Sequence, residues 1–348
     1  VWNDFNYHAY RNLLDAGIAL GVALGISNNL AVMFVCSDGG IARSTDAEIS
    51  RYKDISTGYT TAQFFGIDAD VNGRIVGGTQ DNNTQSGPSR TDTRAGITNI
   101  DWKVVLGGDG HQPATEPGNP NIVYAQSQQG YFTRLDMVSG DKVAIRPQSA
   151  KDENYERYNW DAPILVSAHS TSRIYVASQR LWKSDDRGDT WVAISEDLTR
   201  NEERFDLPIM GRKQSFVNSW DVYAMSNYNT ITSIAESPKN QKTLYVGTDD
   251  GLFQMSEDGG ENWNTLDIKK LSGVPERAYI NDIKADLFDE NKVYMAIDNH
   301  KAGDYKPYLF VSTNKGKSWK AIASNLPENH YVWRIVQDHK KPELLFVG

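Results

Sequence analysis

One eight-residue pattern recurs three times in the C-terminal half and constrains the fold more than any other feature. It reads Ser184-Asp185-Asp186-Arg187-Gly188-Asp189-Thr190-Trp191, then Ser256-Glu257-Asp258-Gly259-Gly260-Glu261-Asn262-Trp263, then Ser312-Thr313-Asn314-Lys315-Gly316-Lys317-Ser318-Trp319. The shared template is S-x-[DN]-x-G-x-x-W. Asp or Asn at the third position accepts hydrogen bonds from backbone N–H groups inside a tight turn. The Gly supplies the positive φ that such a turn demands. The Trp buries a large apolar area against a neighbouring sheet. Ser184, Asp186, Gly188 and Trp191, Ser256, Asp258, Gly260 and Trp263, and Ser312, Asn314, Gly316 and Trp319 are therefore read as structural. A worn fourth copy, Ser44-Thr45-Asp46, lacks the glycine and has Tyr52 near the Trp position.

The residues ahead of each turn repeat as well. Leu244-Tyr245-Val246-Gly247 runs through Thr248-Asp249-Asp250-Gly251 into Leu252-Phe253-Gln254-Met255; Ile174-Tyr175-Val176-Ala177 and Val293-Tyr294-Met295-Ala296 begin equivalent stretches. A further alternating apolar run stands upstream, as in Ile231 to Ala235, Ile280 to Ile283 and Val332 to Val336. Four short strands per unit, separated by turns, are the signature of a propeller blade. The expectation is an all-β propeller of four-stranded blades, with six units and the first half of a seventh. That gives about seven blades closed by the N-terminal Val1 to Asn6 strand, or part of a larger propeller. Both ends fall inside the repeat, which favours one module over 1–348 that is a fragment of a longer chain. The polar stretch Asp152 to Trp160 reads as loop.

Composition narrows the function. Lys+Arg 36 against Asp+Glu 45 gives a formal charge of −9 with no basic block, which argues against a nucleic-acid partner. The longest apolar stretch, Ala16 to Ser27, is too short to span a bilayer and reads as a buried strand or core helix. No basic segment followed by a cleavage site opens the chain. Cys36 is the single cysteine, so no intrachain disulfide or thiolate cluster can form. The six histidines show no zinc spacing. Asp68-Ala69-Asp70-Val71-Asn72-Gly73 begins like a calcium loop, but its twelfth position is Thr79 where a bidentate Glu is needed. No Walker loop or nucleophile elbow is found. No metal and no cofactor are expected.

The template resembles the Asp box, or BNR repeat, of sialidases, sortilin-type propellers and xyloglucanase-type glycoside hydrolases. The wider string is similar to secreted bacterial sortilin-like "glycosyl hydrolase" propellers through Ser37-Asp38-Gly39-Gly40-Ile41, Gly78 to Asn83, Gly107 to His111, Asn159 to Pro163 and Gly247 to Gly251. The likeness covers roughly residues 30 to 348. It implies that the boxes lie on the periphery, between third and fourth strands, which makes Arg187-Gly188-Asp189 a turn and not an adhesion motif. It also implies that the turns between second and third strands surround a central channel, and that the protein is extracellular, periplasmic or at the cell surface.

Those second-to-third-strand turns are polar in every unit. Asp38, Gln80, Asp81, Gln128, Arg180, Asp249, Asp250, Asp298 and His300 would converge on one mouth, joined by Asp109, His111, Trp160 and Asp161 from the loops before first strands. Carboxylates, amides and aromatics around a funnel suit a sugar or peptide ligand. Sialidase chemistry is not expected, because its arginine motif is missing and Ile145-Arg146-Pro147 only brushes against it. The leading expectation is a non-catalytic module binding glycan, peptide or protein at the channel mouth. The second is a glycoside hydrolase pairing Asp38 with Asp249 or Asp250 across the channel. The third is a structural piece of an extracellular assembly.

Overall fold

A computed structural model describes residues 25–27, 30–37, 40–44, 51–55, 62–209, 211–219, 221 and 227–348. The chain divides into two compact units, Val1–Gln63 and Phe64–Gly348. In the first, Gly25–Ser27 pairs with Leu30–Val32, and Phe34–Ser37, Gly40–Ser44 and Tyr52–Asp54 form an antiparallel meander. Asp38, Val1 to Asn6, and Thr45-Asp46 of the worn turn lie outside the described residues.

In the second unit, the described residues form five four-stranded antiparallel sheets, spanning 64–106, 114–144, 164–193, 231–267 and 279–321, each with its strands in sequence order. Two-stranded hairpins cover 208–213 and 335–347. The molecule is all-β in its regular structure, with short 3-10 turns such as Gln128–Gly130 between strands.

The second strand of each sheet explains the arrangement. A strand turns alternate side chains to opposite faces, so an unbroken apolar run needs cover on both. Ile174–Ala177 is such a run. Ile174 and Val176 pack with Tyr124, Phe132 and Ile145 of the preceding sheet. Tyr175 and Ala177 pack with Ile231, Ile234, Leu244 and Val246 of the following one. Tyr245 then faces forward onto Ile280, Ile283 and Met295. Tyr294 and Ala296 face forward again, onto Val332 and Ile335. Successive sheets therefore stack face to face in chain order, each contributing half of two apolar layers.

The recurrent turns clip these layers together at the end of each third strand. Ser256 Oγ donates to Asp258 Oδ1 at 2.7 Å and accepts from the Gly260 N–H at 2.9 Å. The Asn262 N–H donates to Asp258 Oδ1 at 2.9 Å, and its amide donates to Oδ2 at 2.8 Å. The other two copies repeat this geometry, with Asn314 accepting from the Ser318 N–H at 2.8 Å. Gly260 has φ 102°, and a Cβ there would lie 2.7 Å from the Ile194 carbonyl oxygen of the preceding sheet. The tryptophans, half-buried, reach the same way. Trp191 donates to the Ile145 carbonyl at 2.7 Å, and Trp319 meets Phe253 edge-on at 5.0 Å. Arg187 is held by Glu116 through two hydrogen bonds, of 2.7 and 2.9 Å.

The segment that begins like a calcium loop is a turn between first and second strands. Asp70 Oδ1 accepts from the N–H groups of Asn72 and Arg74 at 2.8 and 3.0 Å. Asp68 instead accepts from the Thr115 N–H of the next sheet at 2.6 Å.

Donors from Thr190 and Ser184 hold the Asp186 carboxyl at about 2, and those of Asn262 and Ser256 push Asp258 down likewise. A carboxylate depressed below its unfolded value, about 3.9, stabilises the fold above that value and loses its contribution as pH falls through the folded one. Thermal unfolding of the wild type is therefore expected to drop between pH of roughly 4 and 2, and the double variant D186N/D258N should show a shallower drop. The amide at Asn314 already performs this role, so the double variant should still fold at pH 7. Equal slopes for the two proteins would remove the turns from the acid response.

Candidate functional site

The segments entering the first strands hold the most connected polar cluster, and Asp161 is its hub. Arg334 Nη2 donates to Asp161 Oδ2 and to the Phe65 carbonyl, both at 3.2 Å, while Nη1 donates to the Asn281 carbonyl at 3.0 Å. Gln112 donates to the same Asp161 oxygen at 3.0 Å. One guanidinium thus gathers residues from the 64–106 sheet, the 279–321 sheet and the loop before Ile164. Asn159 extends the network: its Oδ1 accepts from the Asp161 N–H and the Tyr279 hydroxyl, each at 3.1 Å, and its amide donates to Thr230 Oγ1 at 2.8 Å. Thr230 in turn donates to both oxygens of Asp249, from its N–H at 2.8 Å and its hydroxyl at 2.6 Å.

His111 is fully buried beside this hub, its Nδ1 3.5 Å from Asp161 Oδ1 and its ring 4.6 Å from Phe65 and 6.1 Å from Trp160. Its backbone can come so close only because residue 78 is glycine, where a Cβ would sit 1.8 Å from the His111 carbonyl oxygen. Gln80 and Asp81 gather on Asp109 instead. The Asp81 N–H donates to Asp109 Oδ1 at 3.0 Å and Gln80 Nε2 donates to Oδ2 at 3.4 Å. Gln128 stands beside Gly108, on the turn whose Gln129 N–H donates to the Trp160 carbonyl at 3.2 Å.

The 300–303 turn builds an aromatic wall. His300, whose Nδ1 pairs with Asp298, stacks on Tyr331 at 5.0 Å with an interplanar angle of 18°. Tyr279 lies nearly parallel to Trp333 at 6.4 Å, and Tyr331 and Trp333 meet edge-on at 6.1 Å. Tyr305, 48% exposed, completes the group 6.2 Å from Tyr331. Partly exposed rings beside amides and carboxylates are a chemistry suited to polyhydroxylated ligands.

The carboxylates differ in state. Asp249 and Asp250 are both buried, and burial is the largest cause raising each carboxyl above its usual range. For Asp249 the neighbouring Asp250 charge adds to the rise and the Thr230 donors oppose it. The two side chains diverge, because Asp250 accepts from the Thr248 hydroxyl at 2.5 Å and the Arg200 N–H at 2.8 Å. Burial also pushes the Tyr279 hydroxyl up. Among the described residues, no group of three or more His, Cys, Asp or Glu is placed to hold a metal.

Arg180 does not join this set. It is bonded to Glu156 and to Glu153 at 2.8 Å, and stacks over Trp182 at 4.8 Å, so its donors are already occupied. Asp38 lies outside the described residues, which leaves its pairing with Asp249 without geometry. Sequence reasoning missed Asn159, Tyr279, Tyr331, Trp333 and Arg334. The signal was positional: Tyr331 to Arg334 precede a first strand as Asn159 to Asp161 do, yet Val332 to Val336 reads only as an apolar run. A groove of about 470 Å³ also occurs at a box turn, lined by Arg134, Asp136, Asp186, Arg187 and Asp189; Arg134 pairs with Asp189, Arg187 is taken by Glu116, and the two other carboxylates accept from turn donors.

Replacing Arg334 by Gln would leave Asp161 buried with a weaker partner. Urea unfolding is expected to report a loss of about 2 kcal/mol, below the full cost of breaking a buried pair because Arg334 is partly exposed. Asp249→Asn should behave oppositely. An acid whose folded pKa is raised contributes stability present below its unfolded value and lost as pH rises through the folded one. The melting temperature of the Asn variant should therefore gain on wild type from pH of about 4 up to neutrality, and a constant difference would contradict the assigned burial.

No known protein family matches the sequence, and no curated protein is similar to it in sequence. The fold is similar to that of an ancestral GH74 enzyme, at 13% identity and a TM-score of 0.51, covering 78% of this chain and 32% of that one. It is also similar to the extracellular domain described for a one component system of B. thetaiotaomicron, at 14% identity and a TM-score of 0.52, covering 95% of this chain and 38% of that one. This chain thus spans about a third of the first structure and less than two fifths of the second. No helix among the described residues is long and apolar enough to cross a membrane. The likeness is one of fold: an all-β chain of stacked antiparallel sheets, shared with an enzyme and with an extracellular domain.

Proposed function

We propose that the chain is an Asp-box β-propeller module, secreted or at the cell surface, that recognises carbohydrate at the inner ends of its blades and carries out no reaction of its own. Sheets stacked face to face in chain order and boxes that grip the preceding sheet support the propeller reading. So does Arg334, which joins the last hairpin to the first sheet of its unit. The observation that carries the ligand class is the wall of His300, Tyr331, Trp333 and Tyr279 beside the Asn159–Asp161–Asp249 network. Sugar rings stack their C–H faces on such rings while their hydroxyls bond to amides and carboxylates. The candidate ligand residues are Asp109, His111, Gln128, Trp160, Asp161, Asp298 and His300, with Gln80 and Asp81 at the margin.

A recognition role fits the hydrogen bonding. Asp250 and Asp298 are engaged by protein donors, and Asp161 accepts through Oδ2 from Arg334 and Gln112, so each is held in place by its neighbours. One observation favours glycoside hydrolysis as a second reading: the raised carboxyl of Asp249, as a general acid requires. The similarity to a GH74 enzyme is compatible with either.

A glycan array followed by calorimetry tests the proposal. Binding of oligosaccharides is expected, with an affinity loss of at least about tenfold in Trp333→Ala, the truncation of one stacking ring. Absence of any glycan ligand, or binding of peptides alone, would overturn it. New reducing ends on incubation with polysaccharides, abolished in Asp249→Asn, would establish the hydrolase in its place.

A further inference from the structure

Two cations stand at this site without a carboxylate partner among the described residues. Arg204 sits on the 3-10 turn Arg204–Asp206, in the segment that leaves the 164–193 sheet, and is half-buried with its guanidinium 6.0 Å from the Phe205 ring. Lys301 sits on the 300–303 turn, its ammonium 5.0 Å above the ring of Tyr279. Both feel the charge of Asp249, so two separate elements bring them to one region of the site.

Neither element is there by chance of a loose loop. The Arg204 segment is tied at its base, where the Glu202 N–H donates to Asn229 Oδ1 at 3.1 Å and the Asn229 amide returns to the Glu202 carbonyl at 2.7 Å. The Arg200 N–H fixes its start on Asp250 at 2.8 Å. The 300–303 turn is fixed by the Asp298–His300 pairing.

The surroundings make these cations unusual. Elsewhere in the unit, most half-buried arginines meet carboxylates, as Arg157 meets Asp197 at 2.7 Å, Arg187 meets Glu116 at 2.7 Å and Arg200 meets Asp267 at 2.8 Å; Arg146, packed on the Tyr131 and Tyr158 rings, is an exception. In a chain of net charge −9 there is no shortage of acids. Asp249, whose charge acts on both cations, has both oxygens committed to Thr230, and Glu203 beside Arg204 accepts from the Phe205 N–H instead. Burial, which lowers the pKa of Arg204, also disfavours the charge of Asp249. Asp161 is engaged by Arg334 and Asp298 by the His300 ring, whereas Arg204 and Lys301 have no carboxylate at ion-pair distance among the described residues.

Building on the carbohydrate reading above, the geometry points to an acidic glycan as the ligand: a uronic-acid residue whose ring lies on the Tyr331–Trp333 wall and whose carboxylate is held by Arg204 and Lys301. Guanidinium and ammonium donors to a carboxylate form the stronger class of hydrogen bond. A partly desolvated Arg204 gains more from such an anion than a surface cation would. Selectivity against neutral sugars follows, because they leave both cations unpaired.

Calorimetric titration of the full chain with galacturonate oligomers and with neutral galactose oligomers of the same length tests this. Galacturonate is expected to bind at least about tenfold tighter, and R204Q and K301Q should each cost it about tenfold while leaving the neutral oligomer unchanged. Raising the salt concentration should weaken galacturonate binding alone. Melting curves identify any variant that fails to fold, and the two substitutions lie on different elements, so one remains informative. Equal affinity for both oligomers, or no effect of either substitution on a folded protein, would overturn the acidic-glycan assignment while sparing carbohydrate recognition. Binding of neither oligomer would overturn both. Equal binding of a poly-glutamate peptide, lost in the same variants, would replace the glycan by an acidic peptide.

Discussion

Two-sided burial of each sheet's second strand is the constraint on which the remainder depends. Ile174–Ala177, Asn240–Thr248 and Val293–Asn299 carry apolar residues on consecutive positions, so one covering sheet is never enough. Every such strand recruits one neighbour before it and one after it, and the sheets must stack in series. The segments that enter the first strands are then brought together as a by-product of packing at the strands' middles. The polar cluster around Asp161 occupies that meeting place, which is why residues distant in sequence share one guanidinium.

The internal geometry of the S-x-[DN]-x-G-x-x-W turns was legible in the sequence, because the Ser and Asp or Asn that shape each turn find their partners within the eight residues. Their outward reach was legible too: a Trp and a bare Gly at fixed spacing predict close contact with something large, and Ile145, Ile194 and Phe253 provide it. The strands were readable from apolar runs for the same local reason. The polarity of the second-to-third-strand turns was visible, but which of them would be engaged by their own neighbours was not. Arg180 illustrates the limit. Its partners Glu153 and Glu156 lie in a stretch that reads only as polar loop, and nothing local marks them as its counter-charges.

The residues that organise the site were hidden for a related reason. Arg334 bonds to Asp161 and Phe65 across sequence separations of 173 and 269. Tyr279 meets Asn159 across 120. Such pairings belong to the stacking order of whole sheets, which no periodicity encodes. Arg204 was overlooked because it lies between two sheets, in a stretch without the repeat, and its meaning depends on Asp249 being buried.

The bond from Arg334 to the Phe65 carbonyl has a temporal consequence. Closing a loop of that length is entropically the hardest contact in the unit, and it becomes favourable only once the intervening sheets have stacked. The hub around Asp161 is therefore among the last features to assemble, and a chain cut before residue 333 would carry the aromatic wall without Trp333 or its anchoring guanidinium. Formation of the Asp161 hub is thereby coupled to docking of the segment around Arg334 onto the first sheet of its unit, so that a local side-chain network reports the order of a distant stack.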